Sequence, residues 1–175
     1  MAAKPTVTEV IGQVIDSRWF TEESAKRGTA VHSSCAYLDQ DDLDEGSVSD
    51  AISGYVKGWS LFKSETSHGN GFEAIEQRLS DGRYTGKPDR IIPEMRTENG
   101  LVVSGGVLDI KTGPIQWWVG LQIAAYCHLA GKEVGMAVSL NKKGSYKVKV
   151  YLAPEIQRSF KLFMALLSIW ELKNK

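Results

Sequence analysis

Val107-Leu-Asp-Ile-Lys-Thr-Gly113 is an apolar run that carries one acid and one amine two residues apart. Successive side chains of a strand point to opposite faces, so a strand here projects Asp109 and Lys111 together. Twenty residues earlier a second acid, Asp89, stands in Gly86-Lys-Pro-Asp-Arg90, directly before the apolar pair Ile91-Ile92. Two carboxylates converging beside one lysine make a place for a hard divalent cation and leave an amine for the substrate. Mg²⁺ is held by one or two carboxylates, with waters and phosphate oxygens completing its shell, so the inventory suits metal-assisted phosphodiester cleavage. The plainer reading of the same residues is an Asp–Lys pair on an exposed strand face.

The order of residues around this run bears on the choice. Gly28-Thr-Ala-Val-His32 comes first, then Glu76 in Ile75-Glu-Gln-Arg-Leu79, then Asp89, then Asp109-Ile-Lys111, and finally Leu121-Gln-Ile-Ala-Ala-Tyr126. Pro88-Asp89 followed by Asp109-x-Lys111, with Gln122-x-x-x-Tyr126 behind them, resembles the PD-(D/E)XK nuclease superfamily, most closely its RecB-like and phage-type exonuclease branch. The likeness runs over residues 20 to 130 as an ordered set of short motifs. It implies an α/β (α+β) fold with a restriction-endonuclease-like core, a mixed central sheet of about five strands flanked by helices. It also implies a metal-dependent DNA exonuclease of the phage or prophage recombination and repair type, with Mg²⁺ or Mn²⁺ as cofactor and DNA as partner. A structure-specific or restriction-like endonuclease of the same fold is the first alternative. A catalytically silent nucleic-acid-binding domain is the second, and the retention of Asp89, Asp109 and Lys111 argues against it. One departure stands between the two acids: Pro93-Glu-Met-Arg-Thr-Glu-Asn-Gly100 reads as an enlarged hairpin loop, an insertion of the kind loop tips tolerate.

Carried onto these positions, the resemblance has His32, Asp89 and Asp109 hold the metal, with the backbone carbonyl of Ile110 as a further oxygen ligand. Lys111 would orient or deprotonate the attacking water or stabilise charge on the phosphate, and the residues leave these roles open. Glu76 is the remaining catalytic candidate. Its rival Glu73 falls on the other face of a strand, so only one of them meets the metal, and Glu76 lies deeper in the run. Gln122 and Tyr126, four apart on a helix, share a face. If Thr112-Gly-Pro114 leads straight from the strand into that helix, the pair passes over the site and holds a DNA phosphate or a terminal base. Trp117, with its neighbour Trp118, is a candidate for stacking on a base, and core packing is the better reading for at least one of the two.

Composition bounds the rest. With 175 residues, 42% hydrophobic and 24% charged, the chain is sized for one well-buried core. The expected division is an N-terminal arm over residues 1–20 and a single nuclease domain over residues 21–175. No apolar run approaches a membrane span and the N-terminal residues lack the apolar core of a signal peptide, so the expected location is the cytoplasm, the host's if the chain is phage-encoded. Cys35 and Cys127 are too few for an iron–sulfur cluster or a zinc ribbon and read as buried free thiols. Net charge is zero, yet residues 111–175 hold ten Lys or Arg against three Asp or Glu. That surplus includes Lys142, Lys143, Lys147 and Lys149 on an expected hairpin, a candidate DNA contact as well as an ordinary solvated face. A phage recombination protein or a single-strand-binding protein is the kind of protein partner implied, and an oligomer stays open. No Walker loop, Ser-His-Asp arrangement or Gly-rich dinucleotide motif competes.

Helices are expected from Thr21 to Leu38, where Thr21 caps Glu22-Glu23-Ser24, over residues 51–63, from Pro114 to Ala130, and from Pro154 onward. Strands are expected over 72–80, 83–92, 101–111, 134–140 and 146–152. Gly105-Gly106 marks a bulge or a close backbone approach. The acidic run Asp39-Gln-Asp-Asp-Leu-Asp-Glu-Gly46 misses the calcium-loop register at Leu43 and reads as a solvated loop.

Overall fold

The computed structural model describes residues 4–16, 21–66, 71–96, 102–103 and 105–174. Five α-helices are present among them: α1 (Val7–Ile11), α2 (Glu22–Asp39), α3 (Asp50–Glu65), α4 (Val119–Ala130) and α5 (Ala153–Lys173). Strands β1 (Ala74–Ile75), β4 (Arg90–Ile92), β7 (Gly106–Lys111), β8 (Val134–Leu140) and β9 (Tyr146–Tyr151) form one five-stranded sheet in the order β1-β4-β7-β8-β9. Two short ladders stand apart from it, β2 (Leu79–Ser80) with β3 (Thr85–Gly86), and β5 (Met95–Arg96) with β6 (Val102–Val103). The sheet is mixed: β7 and β8 run parallel, joined through α4, and the other neighbours are antiparallel. This is the expected mixed sheet flanked by helices.

Alternation along β7 sends its apolar residues into two cores. Val107 packs with α1, α4 and α5 on one face, while Leu108 and Ile110 pack with Val31, Cys35, Trp59 and Phe62 of α2 and α3 on the other. Close approach on the second face depends on Gly54 and Gly58, one turn apart on α3. A Cβ at Gly54 would meet the Lys142 carbonyl oxygen, and one at Gly58 would lie 2.9 Å from that of Ser145, so these glycines let the β8–β9 turn rest on the helix. Gly105 and Gly106 are also sites of close approach, facing the carbonyl oxygens of Ile92 and Val134.

Several boundaries differ from the sequence reading. The candidate strand over 72–80 is two fragments, because Glu76 takes a left-handed φ of 49° and turns the chain between them. Residues 67–70 and the tip of the expected hairpin loop, residues 97–101, lie outside the described residues. Helix α4 begins at Val119 rather than at Pro114: Ser139 Oγ donates to the Gly113 carbonyl at 2.7 Å, which ties the chain to β8 before it turns into the helix. The N-terminal segment is no separate arm. Val7, Val10 and Ile11 are buried in the α4/α5 core, and Thr85 N donates to the Pro5 carbonyl at 2.8 Å. Asp39, read as the start of a solvated acidic loop, is the last residue of α2 and its side chain is buried. Cys35 and Cys127 are buried free thiols, and burial pushes the Cys127 thiol up to about 12. No helix among the described residues is long and apolar enough to cross a membrane.

Candidate active site

Register brings the two acids together. Ile91 pairs with Val107 and Arg90 with Leu108, so the next step of the same ladder sets Asp89 beside Asp109, on the face that Lys111 shares. Arg90, one residue on, is turned to the opposite face with Leu108. Asp89 Oδ2 accepts the Ile110 backbone N–H at 2.6 Å. The N–H and carbonyl of one strand residue point to the same edge, so the Ile110 carbonyl is directed to that edge as well. Asp89 Oδ1 lies 2.9 Å from Nδ1 of His32, which α2 carries past the end of β4. Lys111 Nζ lies 2.5 Å from Asp109 Oδ2.

Glu76 reaches the same place from the turn after β1. Its backbone N–H donates to the Asp89 carbonyl at 2.9 Å, and Lys87 holds its carboxylate at 2.5 Å. Ligand atoms of His32, Glu76 and Asp89 lie within 4.8 Å of one another. Glu73 is turned away, its backbone N–H on Ile91 and its carboxylate on Lys132. The two glutamates therefore diverge, though by the left-handed turn at Glu76 and not by its depth in a strand.

The charges are crowded and buried. For Asp89, burial favours the neutral acid, but the charge and hydrogen bond of His32, then Lys111 and the Ile110 N–H, outweigh it and hold the carboxyl below its ordinary value. Asp109 goes the other way: burial, joined by the Asp89 charge, raises it in spite of Lys111. His32 resists protonation through burial, yet the Asp89 charge and hydrogen bond, with Asp109 behind them, raise it overall. The cluster is thus short of positive charge. A divalent cation fits that deficit and the hard oxygen and imidazole donors present.

Gln122 and Tyr126 do not face solvent. Gln122 Oε1 accepts from Lys111 Nζ at 2.8 Å, and its Nε2 donates to the Tyr126 hydroxyl at 3.0 Å. Lysine only donates, so the amide orientation follows from its partners. The late start of α4 brings these two residues under the site, with Gln122 on Lys111 and Tyr126 behind Gln122. Trp117 is 66% exposed, whereas Trp118 packs against the core with Lys111 Nζ 5.5 Å from its ring centre. Both line a cavity of about 790 Å³ together with Arg27, His32, Lys111 and Thr112.

The basic hairpin divides between two faces. Lys147 pairs with Ser139 and Lys149 with Ala137, and these pair across β7 with Lys111 and Asp109, so the exposed Lys147 and Lys149 share the face of the site. Lys142 and Lys143 sit in the turn that rests on α3 and line a separate hollow with Lys57 and Glu45. Sequence reading missed the buried pair behind the site, Arg90 with Asp39, and Lys87 on Glu76. Only the alternation that turns Arg90 into the second core could have signalled the former.

The fold can be set beside known proteins. No family model matches the sequence, and no curated protein matches it. Among solved structures, the chain is similar to an alkaline exonuclease from Laribacter hongkongensis, with 15% identity, 98% of this chain and 92% of that chain covered, and a TM-score of 0.42. It is also similar to a phage-related exonuclease from Haemophilus somnus 129PT, with 8% identity, 100% and 98% covered, and a TM-score of 0.44. At this distance the chemistry has to be read from this chain's own residues.

Proposed function

We propose that the chain is a metal-dependent deoxyribonuclease that hydrolyses phosphodiester bonds. The observation that carries the reading is the convergence of Asp89, Asp109 and Lys111 on one sheet face, with His32 and Glu76 closing on Asp89 from α2 and from the β1 turn. His32, Glu76 and Asp89 would hold Mg²⁺ or Mn²⁺, with Asp109 and the Ile110 carbonyl at its margin. A divalent cation in that place supplies positive charge to the phosphate and acidity to a bound water. Lys111 donates to Gln122 and forms an ion pair with Asp109, and its ammonium has a further N–H to offer the phosphate or the attacking water. Surrounded by acceptors, it suits charge stabilisation better than proton abstraction.

The finer reading is an exonuclease of phage or prophage recombination type. Its support is the cavity beside Lys111, whose volume is that of a small-ligand pocket and whose rim carries the exposed Trp117 as a surface for a terminal base. An enzyme that works from an end exposes single strands, so a recombination or single-strand-binding protein is the class of partner that would receive its product. Digestion of end-labelled linear DNA beside a covalently closed circle, with Mg²⁺ or Mn²⁺, tests both levels. Progressive shortening of the linear DNA with the circle intact supports the exonuclease. Linearised circles point to an endonuclease built on the same centre, and two intact substrates overturn the nuclease reading.

A further inference from the structure

Behind the site lies a second constellation, centred on a buried ion pair and unused by the chemistry above. Asp39 closes α2 and Arg90 opens β4, and the side chains of both are 0% exposed. Arg90 Nε donates to Asp39 Oδ2 at 2.6 Å, while Trp59 Nε1 at 2.9 Å and Lys63 Nζ at 2.8 Å meet the other oxygen. The guanidinium lies 5.5 Å from the ring centre of Trp59 and 5.6 Å from that of Phe72, and its Nη1 donates to the Asp89 backbone carbonyl at 2.6 Å.

Two residues of α2, seven positions and so about two turns apart, therefore grip Arg90, the first residue of β4, and Asp89 directly before it. Asp39 takes Arg90 in the second core, and His32 takes Asp89 at the site. A hydrophobic pair in the place of Asp39 and Arg90 would fill the space without fixing how far α2 slides along β4, because apolar contacts lack direction. A guanidinium that donates Nε–H to the Asp39 carboxylate and Nη1–H to the Asp89 carbonyl fixes it, because both bonds are directional.

We propose that Asp39 and Arg90 are positioning residues, which set the register of α2 on β4 and so hold His32 and the Asp89 carboxylate in ligand geometry. The proposal rests on the nuclease reading for its consequence, but the His32–Asp89 link can be measured without it. Breaking one partner leaves a buried charge and endangers the fold, whereas replacing both with apolar residues of similar size removes the two buried charges and leaves only Lys63, 20% exposed, to turn its ammonium to solvent. The informative variants are Arg90→Lys, which keeps the charge and loses the planar pair of N–H donors aimed at Asp39 and the Asp89 carbonyl, and the double change Asp39→Leu with Arg90→Met.

Three readouts apply to each variant that keeps a cooperative melting transition: the His32 Nδ1 resonance in ¹⁵N-histidine-labelled metal-free protein, Mn²⁺ titration by calorimetry, and steady-state cleavage of linear DNA. The expected result for both variants is a displaced His32 resonance, Mn²⁺ affinity and kcat each down at least about tenfold, and KM within about twofold of the parent, the range for partners that orient metal ligands. A double variant with parental His32 resonance and Mn²⁺ affinity overturns the proposal, since the pair would then be packing alone. Should the double variant not fold, Arg90→Lys decides by the same readouts. A parent that neither binds Mn²⁺ nor cleaves DNA, with the resonance still displaced in the variants, overturns the nuclease reading and leaves the positioning role standing.

Discussion

The ammonium of Lys111 donates to the side-chain carbonyl of Gln122 at 2.8 Å, which ties the end of β7 to the first turn of α4. Gln122 in turn donates to Tyr126, so a residue of the next helical turn sets where the lysine points. Tyr126→Phe removes the acceptor and leaves a buried N–H unsatisfied, at a cost of about 1–3 kcal/mol. Cleavage by this variant should slow with Mn²⁺ affinity unchanged, and Gln122→Ala should slow it further. Calorimetry beside kinetics checks this; a Gln122→Ala enzyme with parental kcat would remove the helix from the mechanism.

Asp109 and Lys111 should part company when stability and activity are measured together. Burial and the Asp89 charge already disfavour an ionised Asp109, so Asp109→Asn is expected to melt at or above the parental temperature while losing at least about a hundredfold in cleavage. Lys111→Ala also loses cleavage on that scale but strands an acid in the interior, at about 3 kcal/mol. Thermal melts of the two variants distinguish them. If Lys111→Ala cleaves at the parental rate, the assignment of the reaction centre is wrong.

That contrast shows what could and could not be read in advance. The shared face of Asp109 and Lys111 follows from a period of two and needs nothing beyond the strand. Asp89 is placed by hairpin register, which the Pro88-Asp89 signature anticipated without showing its bond to Ile110. Glu76 was legible as a choice and not as a geometry: a left-handed glutamate that breaks its own strand has no local signal beside it. The Asp39–Arg90 pair was illegible for a deeper reason. Burial of a charge depends on a partner 51 positions away, and within the acidic run Asp39 looks like its exposed neighbours. The start of α4 was misplaced because Pro114 suits a first helical turn equally well as a loop.

Metal dependence gives a prediction that separates the two glutamates. EDTA should abolish cleavage, Mg²⁺ or Mn²⁺ should restore it, and Ca²⁺ should occupy the site without turnover, since its looser shell positions water poorly. His32→Ala and Glu76→Gln should each weaken Mn²⁺ binding by about tenfold or more, with DNA affinity little changed. Glu73→Gln, whose parent side chain pairs with Lys132, should titrate like the unaltered protein. Equal losses for Glu73→Gln and Glu76→Gln would dissolve the proposed ligand set.

The two halves of the basic hairpin should behave differently toward DNA. Lys147 and Lys149 stand on the site's face in line with Lys111 and Asp109, two strands away, where a backbone leaving the centre across the sheet would meet them. Lys142 and Lys143 belong to the turn seated on α3, away from that path. Each phosphate contact contributes about 0.9 to the slope of log affinity against log salt for duplex DNA. Replacing Lys147 and Lys149 together with Ala should therefore flatten the slope by about 2 and raise KM for linear DNA, leaving kcat within about twofold because no ligand or donor at the centre is touched. The same change at Lys142 and Lys143 should leave the slope near parental. Binding isotherms over a salt series, on catalytically inert Asp109→Asn backgrounds, measure both; a flatter slope from the Lys142 and Lys143 pair with none from Lys147 and Lys149 would place the DNA on the α3 side of the sheet and reject the path drawn here.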